Sequence, residues 1–493
     1  MGHPKLSTLI LFVMASISMS EAYSQNSTVQ APSPQGTAAP NSASKQATGR
    51  STFKKKPLAA SEDMAFKIGA EAAAQGYSSY SKADSGATQQ IEVNLQLKKQ
   101  GAFFSNTEIT VGTFSTPQSV YYAAPEAYIG YGDKTASVTA GRKIENLSFT
   151  DSFYNMGLMQ PYMSNDTIYF KQQGFVSLAG HAYNGTYGIN AGFNPIFLPN
   201  QGPQATAKDG QIVSSNRWAQ TAPEKFRFGD QNQEIIYAIS DYNLTDILAH
   251  TGFYLNAYVG ANQDRPVLNA SYTNKPVNEL ALSRETFADI STFKGNVILT
   301  PVVLNHQVYS LDLNMDSGPL KTTLSFLADE PQNVEAADSQ TMQTLSPLSM
   351  ASFYAGYNLS NLVSRNLEVY AAYAQISGGD IKDINSNGAS SSFSFATSRS
   401  RFKNPVRVGI KGDVFYVYGR ALKAEANLTY DQEYQGSLFS AQIQYSPNDQ
   451  LRFSVGADLI GVESDSVAST AQSNYLDQNK ANDRITGGVG YAF

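Results

Sequence analysis

The chain ends on the sequence RITGGVGYAF, residues 484–493. Its odd-numbered positions hold the larger apolar side chains of the stretch, Ile485, Val489, Tyr491 and Phe493, together with Gly487. Its even-numbered positions hold small or polar residues only. Successive side chains of a strand point to opposite faces. The pattern therefore predicts a strand with one aromatic and aliphatic face that continues to the last residue.

The same alternation returns along the chain from about residue 63. Clear examples are residues 91–97, 309–315, 406–410, 439–445 and 451–459. Each run, with its flanks, is about nine to twelve residues long, the length that a tilted strand needs to cross a membrane. Strands of soluble sandwiches are usually shorter. The sequence predicts an all-β fold, a transmembrane antiparallel up-and-down β-barrel of roughly 16–20 strands with a best count of about 20.

The connections between the predicted strands alternate between short turns and long loops. The predicted strands cover residues 63–77, 88–99, 107–116, 122–132, 135–143, 172–183, 186–194, 232–241, 249–261, 266–274, 279–286, 305–316, 318–329, 348–358, 366–377, 405–416, 419–431, 434–446, 450–460 and 484–493. Long extracellular loops and short periplasmic turns are typical of outer-membrane barrels. Region 287–305 is the least certain, because Ile298, Val302 and Val303 could form one more strand.

Composition argues against a protein with membrane-spanning helices. The chain has 29 Tyr, 26 Phe, 37 Gly and no Cys. Its mean hydropathy is negative, at −0.29, and no apolar run after residue 24 is long enough for a membrane-spanning helix. The lack of cysteine fits an oxidising compartment.

The N-terminal residues divide into two predicted segments before the barrel. Residues 1–24 have a basic start, an apolar run and a small-residue cleavage site, which predicts a cleaved signal peptide. Residues 25–60 are rich in Ser, Ala, Gln and Pro and hold five basic residues and no acidic one, which predicts a disordered basic periplasmic leader. Residues 61–493 then form the barrel. Because the whole chain has a net charge of −6, its body is acidic, which argues against nucleic acid as a partner and favours a mild preference for cations.

A second motif lies in an internal hairpin. Residues 125–131 read PEAYIGY, and after a tight turn residues 138–142 read VTAGR. This hairpin resembles one found in many Gram-negative porins, and the alternation ending on Val489, Tyr491 and Phe493 resembles the signal read by the barrel-insertion machinery. The resemblance implies a location in the outer membrane of a Gram-negative cell. It also implies contact with the lipid bilayer and lipopolysaccharide, passage of small hydrophilic solutes, a homotrimer as a possible assembly, and a pore-facing role for Arg142.

Two long loops are unusually apolar for solvent-exposed chain. Loop 144–171 contains Phe149, Phe153 and Tyr154, and loop 194–231 contains Trp218 and several prolines. Apolar loops must be covered. We expect one or both to fold into the barrel and narrow the pore, and the alternative is that they pack on each other outside it.

Charged residues on these loops and on polar strand faces are the candidates for pore lining and constriction, because charges at the narrowest ring set selectivity. They are Arg142, Lys143, Glu145, Asp151, Arg217, Glu224, Arg227, Arg407, Lys411, Arg420 and Arg452. For each one the alternative is a place in the lumen wall without an effect on selectivity.

No catalytic site, cofactor or metal is predicted. The four histidines, His3, His181, His250 and His306, are scattered over the chain. The stretch from Asp383 begins like a calcium loop, but its twelfth position is Ser394 where a glutamate is needed, so a surface loop is favoured. The predicted function is a porin-like outer-membrane channel for passive diffusion of small hydrophilic solutes or ions. The alternative is a structural or surface-binding barrel with a plugged lumen, acting as an adhesin or a platform for a partner.

Overall fold

The computed structural model describes residues 64–492, apart from 79–85, 116–117, 204, 215, 217, 220–221, 223, 229, 263–264, 290–293, 339, 361–364, 391–397, 463–473 and 481. The predicted signal peptide, the leader and Phe493 lie outside the described residues. The strands are β1 (Met64–Ser78), β2 (Gly86–Lys99), β3 (Phe103–Ser115), β4 (Gln118–Gly132), β5 (Ala136–Lys143), β6 (Tyr162–Met163), β7 (Lys171–Gln172), β8 (Phe175–Tyr183), β9 (Tyr187–Asn194), β10 (Ala205–Lys208), β11 (Gln211–Ser214), β12 (Lys225–Phe228), β13 (Gln231–Ile239), β14 (Gly252–Val259), β15 (Leu268–Pro276), β16 (Ala281–Asp289), β17 (Lys294–Val302), β18 (Asn305–Ser317), β19 (Leu320–Gln332), β20 (Gln340–Leu345), β21 (Leu348–Asn358), β22 (Leu367–Gly378), β23 (Ile381–Asn385), β24 (Pro405–Val417), β25 (Arg420–Asp431), β26 (Gly436–Tyr445), β27 (Leu451–Val462) and β28 (Asp483–Ala492). The described helices are α1 (Phe149–Phe153), α2 (Leu244–Leu248) and α3 (Tyr475–Asn479).

Eighteen of these strands form a closed antiparallel barrel. Around the barrel the order is β1, β2, β3, β4, β5, β8, β9, β14, β15, β18, β19, β21, β22, β24, β25, β26, β27 and β28. The barrel closes because β1 pairs with β2 on one side and with β28 on the other, with Ala72 opposite Val489. The last predicted strand therefore exists and is the closing strand.

The two faces of the barrel differ in chemistry as the alternation predicts. Ile91 and Val93 on β2 are 53% and 45% exposed on the outer face. Gln90 and Glu92 between them point inward and are buried. An apolar outer face and a polar inner face are typical of a barrel that meets lipid outside and water inside.

The fold class is confirmed, and 18 strands lie within the predicted range, two below the best count. The two predicted strands at 232–241 and 279–286 form β13 and β16 of a separate six-stranded sheet, ordered β12-β13-β17-β16-β20-β23. The uncertain region 287–305 also contributes a strand, β17, to this sheet. Its Val297 and Leu299 pack on Tyr237. Alternation alone cannot tell an apolar face that packs on protein from one that faces lipid, and this ambiguity explains the difference in count.

Long and short connections lie at opposite ends of the barrel. One end, here called the long-loop end, carries connections 144–174, 195–251, 277–304, 333–347 and 379–404, and the six-stranded sheet is built from the last four. The other, the short-turn end, carries connections such as 133–135, 184–186 and 318–319. Among the described helices none is long and apolar enough to cross a membrane.

Candidate functional site: the segment inside the barrel

The connection between β5 and β8, residues 144–174, runs inside the barrel and is called the inner segment. Its α1 begins at the N-cap Ser148, whose side chain accepts a hydrogen bond from the backbone N–H of Asp151. The N–H of Phe149 donates to Asp312 of β18 over 2.9 Å, and the Thr150 hydroxyl lies 2.6 Å from that of Ser352 of β21. These contacts fix α1 to inward-facing side chains of the wall.

An apolar core joins the first half of the inner segment to one side of the barrel. Strands β8, β14, β18, β19, β21 and β22 supply its wall residues, and the core consists of Leu147, Tyr154, Met156, Leu158, Met159, Phe175, Ala179, Tyr254, Val308, Leu327, Leu348, Met350, Ala374 and Ile376. Beside it, Phe149 and Phe153 pack edge-to-face on Tyr354, with centroids 5.4 Å apart in each pair. Burying this many apolar side chains is favourable, which explains why so apolar a loop folds into the barrel and not into solvent.

Arg407 of β24 fixes the end of α1. Its Nη1 donates to the carbonyl oxygen of Phe153 over 3.0 Å, and its Nε donates to Thr429 over 2.8 Å. Its guanidinium carbon lies 5.0 Å from the ring centroid of Phe153, within the range of a cation–π contact. A cation at a helix C-terminus also interacts favourably with the terminal carbonyls.

Asp151 organises the turn that follows α1. Its two carboxylate oxygens accept from the backbone N–H groups of Leu158 and Met159, over 2.8 and 3.2 Å. Burial raises the pKa of Asp151 to about 6, and these backbone donors oppose the rise because they favour the charged form. Asn278 of the connection 277–304 donates to the carbonyl oxygen of Gly157 over 2.6 Å, so a second loop holds the same turn.

The second half of the inner segment crosses to the opposite wall. Asp166 pairs with Arg484 of β28, whose Nε lies 2.7 Å from Asp458 of β27. The hydroxyl of Tyr169 donates to Asp458 over 2.8 Å. Further along, the ammonium of Lys171 lies 3.0 Å from Glu108 of β3. The inner segment therefore contacts both sides of the lumen.

The two roots of the inner segment are also held by polar contacts. Arg142 donates to the carbonyl oxygen of Gly174 over 3.1 Å and to the side chain of Gln173. Lys143 and Glu145 form an ion pair of 2.7 Å. Glu145 in turn accepts from Asn190 over 2.7 Å.

The structure brings five of the predicted site residues together at the inner segment, namely Arg142, Lys143, Glu145, Asp151 and Arg407. Lys411 and Arg452 lie on the inner wall nearer the short-turn end, where they pair with Glu368 and Glu71. Arg420 is exposed at the short-turn rim, 2.7 Å from Asp449. Glu224 is exposed next to β12. Arg217 and the side chain of Arg227 lie outside the described residues.

Loop 194–231 forms β10, β11 and β12. Among the described residues, it contacts the inner segment around Asn200 and Gln201 and again around Asn216 and Trp218. Ser164 donates its N–H to the carbonyl oxygen of Gln201 over 2.8 Å, and Trp218 packs with Ile168 and with Ile460 of β27.

Sequence reasoning missed the buried ion pair that holds the inner segment, Arg484 with Asp166. It also missed a second, separate polar network around His306. Arg484 and Asp166 are separated by 318 residues, so no local pattern joins them. In the second network, His306 lies between Asp329 at 2.6 Å and the ammonium of Lys275 at 3.1 Å, and Arg399 pairs with the same Asp329. The parity of β15, β18 and β19 would have placed three of these side chains inward. Among the described residues no group of His, Asp or Glu side chains has the arrangement of a metal site.

Comparisons with known proteins add the following. No family model matches the chain, and no curated protein matches it. Among solved structures, it is similar to Pseudomonas aeruginosa OccK5 (OpdH), with 11% identity, a TM-score of 0.46 and coverage of 87% of this chain and 98% of that one. Acinetobacter baumannii OccAB4 has 10% identity and a TM-score of 0.46, with 87% and 98% covered. A mutant of the Rhodopseudomonas blastica porin has 8% identity and a TM-score of 0.37, with 87% and 100% covered.

The protein folds as a closed, 18-stranded transmembrane β-barrel. This conclusion depends on the closed barrel, its exposed apolar outer face and its polar inner face.

Proposed function

We propose that the protein is an outer-membrane channel through which small hydrophilic solutes or ions diffuse passively. The observation that carries this proposal is the inner segment, which crosses a closed, polar-lined barrel and contacts Asp312 and Ser352 on one side and Glu108 and Arg484 on the other. A segment fixed to opposite walls narrows a lumen without needing to seal it, and the charges beside it face the passing solute.

The inner segment is the main constriction in this proposal, and loop 194–231 narrows the outer mouth. Arg142, Lys143, Glu145, Asp151 and Arg407 then border the constriction. Lys411 and Arg452 line the lumen on the side of the short turns. Arg420, Glu224, Arg217 and Arg227 stay candidate pore-lining residues in this proposal.

A second candidate function is a closed barrel that presents a binding surface. The six-stranded sheet built from four long-loop connections favours it, because this sheet gives the outer surface a folded layer with a buried ion pair, Arg284 to Asp383 at 3.1 Å. In this case the lumen has no continuous water path and the sheet is the site of function.

The deciding experiment is single-channel recording of the purified protein in a planar bilayer under a salt gradient. Stable current steps would support the channel, and the reversal potential would test the mild cation preference expected from net charge. Protein that is folded, as judged by heat-modifiable migration on a gel, but electrically silent would contradict the channel and leave the closed barrel.

We further propose insertion into the outer membrane by the barrel-insertion machinery after removal of the signal peptide. Val489 and Tyr491 support this proposal, because both lie on the outer face of the closing strand and are 46% and 41% exposed. Fractionation of cells that produce the protein tests the location. Cross-linking in the membrane tests the homotrimer.

A further inference from the structure

The two sides of the lumen are filled to different degrees. On the side of β14 to β21, the inward-facing polar residues are buried, so other parts of the protein must cover them. Asn256 and Asn269 are 4% exposed, Ser325 is 6% exposed and Thr323 is fully buried. The apolar core of the inner segment lies above them, so this side has little room for water.

The short-turn end of the same side is also covered. Arg265, from the connection between β14 and β15, donates to Thr323 over 3.2 Å and pairs with Asp316 over 2.9 Å. Asn314 donates to the carbonyl oxygen of Pro266 over 2.8 Å. Arg265 and Pro266 therefore lie against the short-turn ends of β18 and β19 on this side.

The opposite side, formed by β24 to β28 and β1 to β3, is more open in the half near the short turns, whereas nearer the long loops its inward-facing residues, such as Glu92 and Thr429, are buried as well. Its inward-facing Lys98, Lys411 and Glu425 are exposed, and Gln96 and Gln442 are half-buried. Part of the inner segment crosses this side. Asp166 and Tyr169 do so toward the long-loop end, and Lys171 reaches Glu108 and Thr110 of β3, at the edge of this side.

Gly69 of β1 marks the open space. It is in phase with Glu71 and Gln75, both of which point inward, since Glu71 pairs with Arg452 and Gln75 bonds to Gln90. A methyl group built at Gly69 would meet nothing nearer than a backbone carbonyl oxygen at 3.8 Å, that of Tyr491. A methyl group at this position therefore has no contact closer than ordinary van der Waals distance.

We propose that the permeation path is a half-channel along β24 to β28 and β1 to β3, with Gly69 on its wall, and that the side of β14 to β21 carries no solute. This inference rests on the proposed function and adds the location of its path. The class of solute follows from the lining, which is polar and charged: small hydrated molecules and ions that need no apolar contact.

Single-cysteine variants test the path, because the chain has no native cysteine. We choose Gly69→Cys on the proposed path and Ser325→Cys on the filled side. The matched control is Ala72→Cys, which lies on the same strand but faces outward. A bulky, charged, water-soluble thiol reagent is applied to the folded barrel in lipid, and labelling is read by mass spectrometry.

We expect rapid labelling of Gly69→Cys and at least tenfold slower labelling of Ser325→Cys and Ala72→Cys. In the bilayer, the reagent should produce a stepwise loss of current in Gly69→Cys alone. Equal or faster labelling of Ser325→Cys, or a current loss in that variant with none in Gly69→Cys, would overturn the half-channel.

The failure of this inference is distinguishable from the failure of the channel itself. If folded protein never conducts, the channel proposal fails, and the labelling pattern still reports whether the open side holds water. A second pair avoids reliance on thiol chemistry: Gly69→Trp should reduce conductance, whereas Ala72→Trp should leave it unchanged. Unchanged conductance in folded Gly69→Trp contradicts the path.

Discussion

At the scale of single residues, Arg407 holds the C-terminal end of α1 in the inner segment, although it lies 254 residues after Phe153, the last residue of α1, in the sequence. Replacement by Ala removes the hydrogen bond to Phe153 and the contact with its ring. Hydrogen bonds to charged groups contribute about 1.5–3 kcal/mol. We expect Arg407→Ala to lower the free energy of unfolding by this order and to make the channel current noisier, since the C-terminal end of α1 loses its partner.

The matched control is Arg420→Ala, which removes an exposed arginine at the short-turn rim. An exposed ion pair contributes little, so its stability and current noise should stay near wild type. Equal current noise in the two variants would contradict the role given to Arg407. Urea unfolding in lipid vesicles, followed by the fluorescence of Trp218, gives the stability of both.

Asp151 makes stability depend on pH in a defined window. Its pKa is about 6 in the folded protein against about 3.9 for an unfolded aspartate. A raised pKa means that the folded state binds the proton more tightly. The resulting stabilisation is fully present below about pH 4 and is lost as the pH rises through about 6.

We therefore expect the wild type to lose up to about 1.4 kcal/mol per pH unit, relative to Asp151→Asn, as the pH rises through this window. Above about pH 7 the difference between the two proteins should be constant. Urea midpoints measured for both proteins from pH 4 to 7.5 give the comparison. Parallel pH profiles would show that Asp151 titrates at its ordinary pKa.

Sequence reasoning was most successful for residues on regular strands. Alternation placed Arg407, Lys411 and Arg452 on inward faces, and each makes its contacts there. It gave no means of placing Arg420, because the first residue of a strand lies at a rim where the inner and outer faces both end. Nor could it pair Asp166 with Arg484, since that contact depends on the path of a loop through the lumen.

At the scale of elements, the same limit explains which strands were assigned to the barrel. Strand β28 and its neighbours follow from their alternation, because each has one face toward lipid. Strands β13 and β16 alternate equally well, but their apolar faces pack within the six-stranded sheet, and Tyr237 and Ala281 belong to buried clusters. Identical patterns thus arise from two different apolar surroundings.

The closing strand and the inner segment are joined by one buried arginine, which allows a prediction about their coupling. Arg484 contacts Asp458 and Asp166. Arg484→Met leaves two buried carboxylates without their cation, whereas Asp166→Asn leaves Arg484 paired with Asp458. Removing one partner of a buried ion pair costs about 3–5 kcal/mol. We expect Arg484→Met to be destabilised by at least this order and Asp166→Asn by clearly less.

The test is whether Arg484→Met is destabilised more than Asp166→Asn. The stability of each variant is measured as the temperature at which the barrel loses its heat-modifiable migration on a gel. Equal destabilisation would mean that the contact with Asp458 is unimportant. Trp218 fluorescence reports separately on this region, because the indole ring lies 5.5 Å from the Arg484 guanidinium and packs with Ile168 of the inner segment.

At the scale of the whole molecule, the barrel and the inner segment are separable. Strands β5 and β8 pair directly, with Lys143 opposite Phe175, so the two roots of the inner segment are adjacent. A short turn can join neighbouring antiparallel strands. Closure through β1 and β28 involves none of its residues. The fold of the barrel should therefore survive replacement of residues 146–172 by a short Gly-Ser linker.

That replacement is expected to raise single-channel conductance severalfold, because the apolar core on one side and the crossing on the other are both removed. The same variant should be less stable, since Leu147, Met159 and their neighbours no longer cover the wall. Heat-modifiable migration confirms folding before conductance is compared with wild type. A folded variant with unchanged conductance would place the constriction elsewhere, and the six-stranded sheet at the outer mouth would then be the element that limits passage.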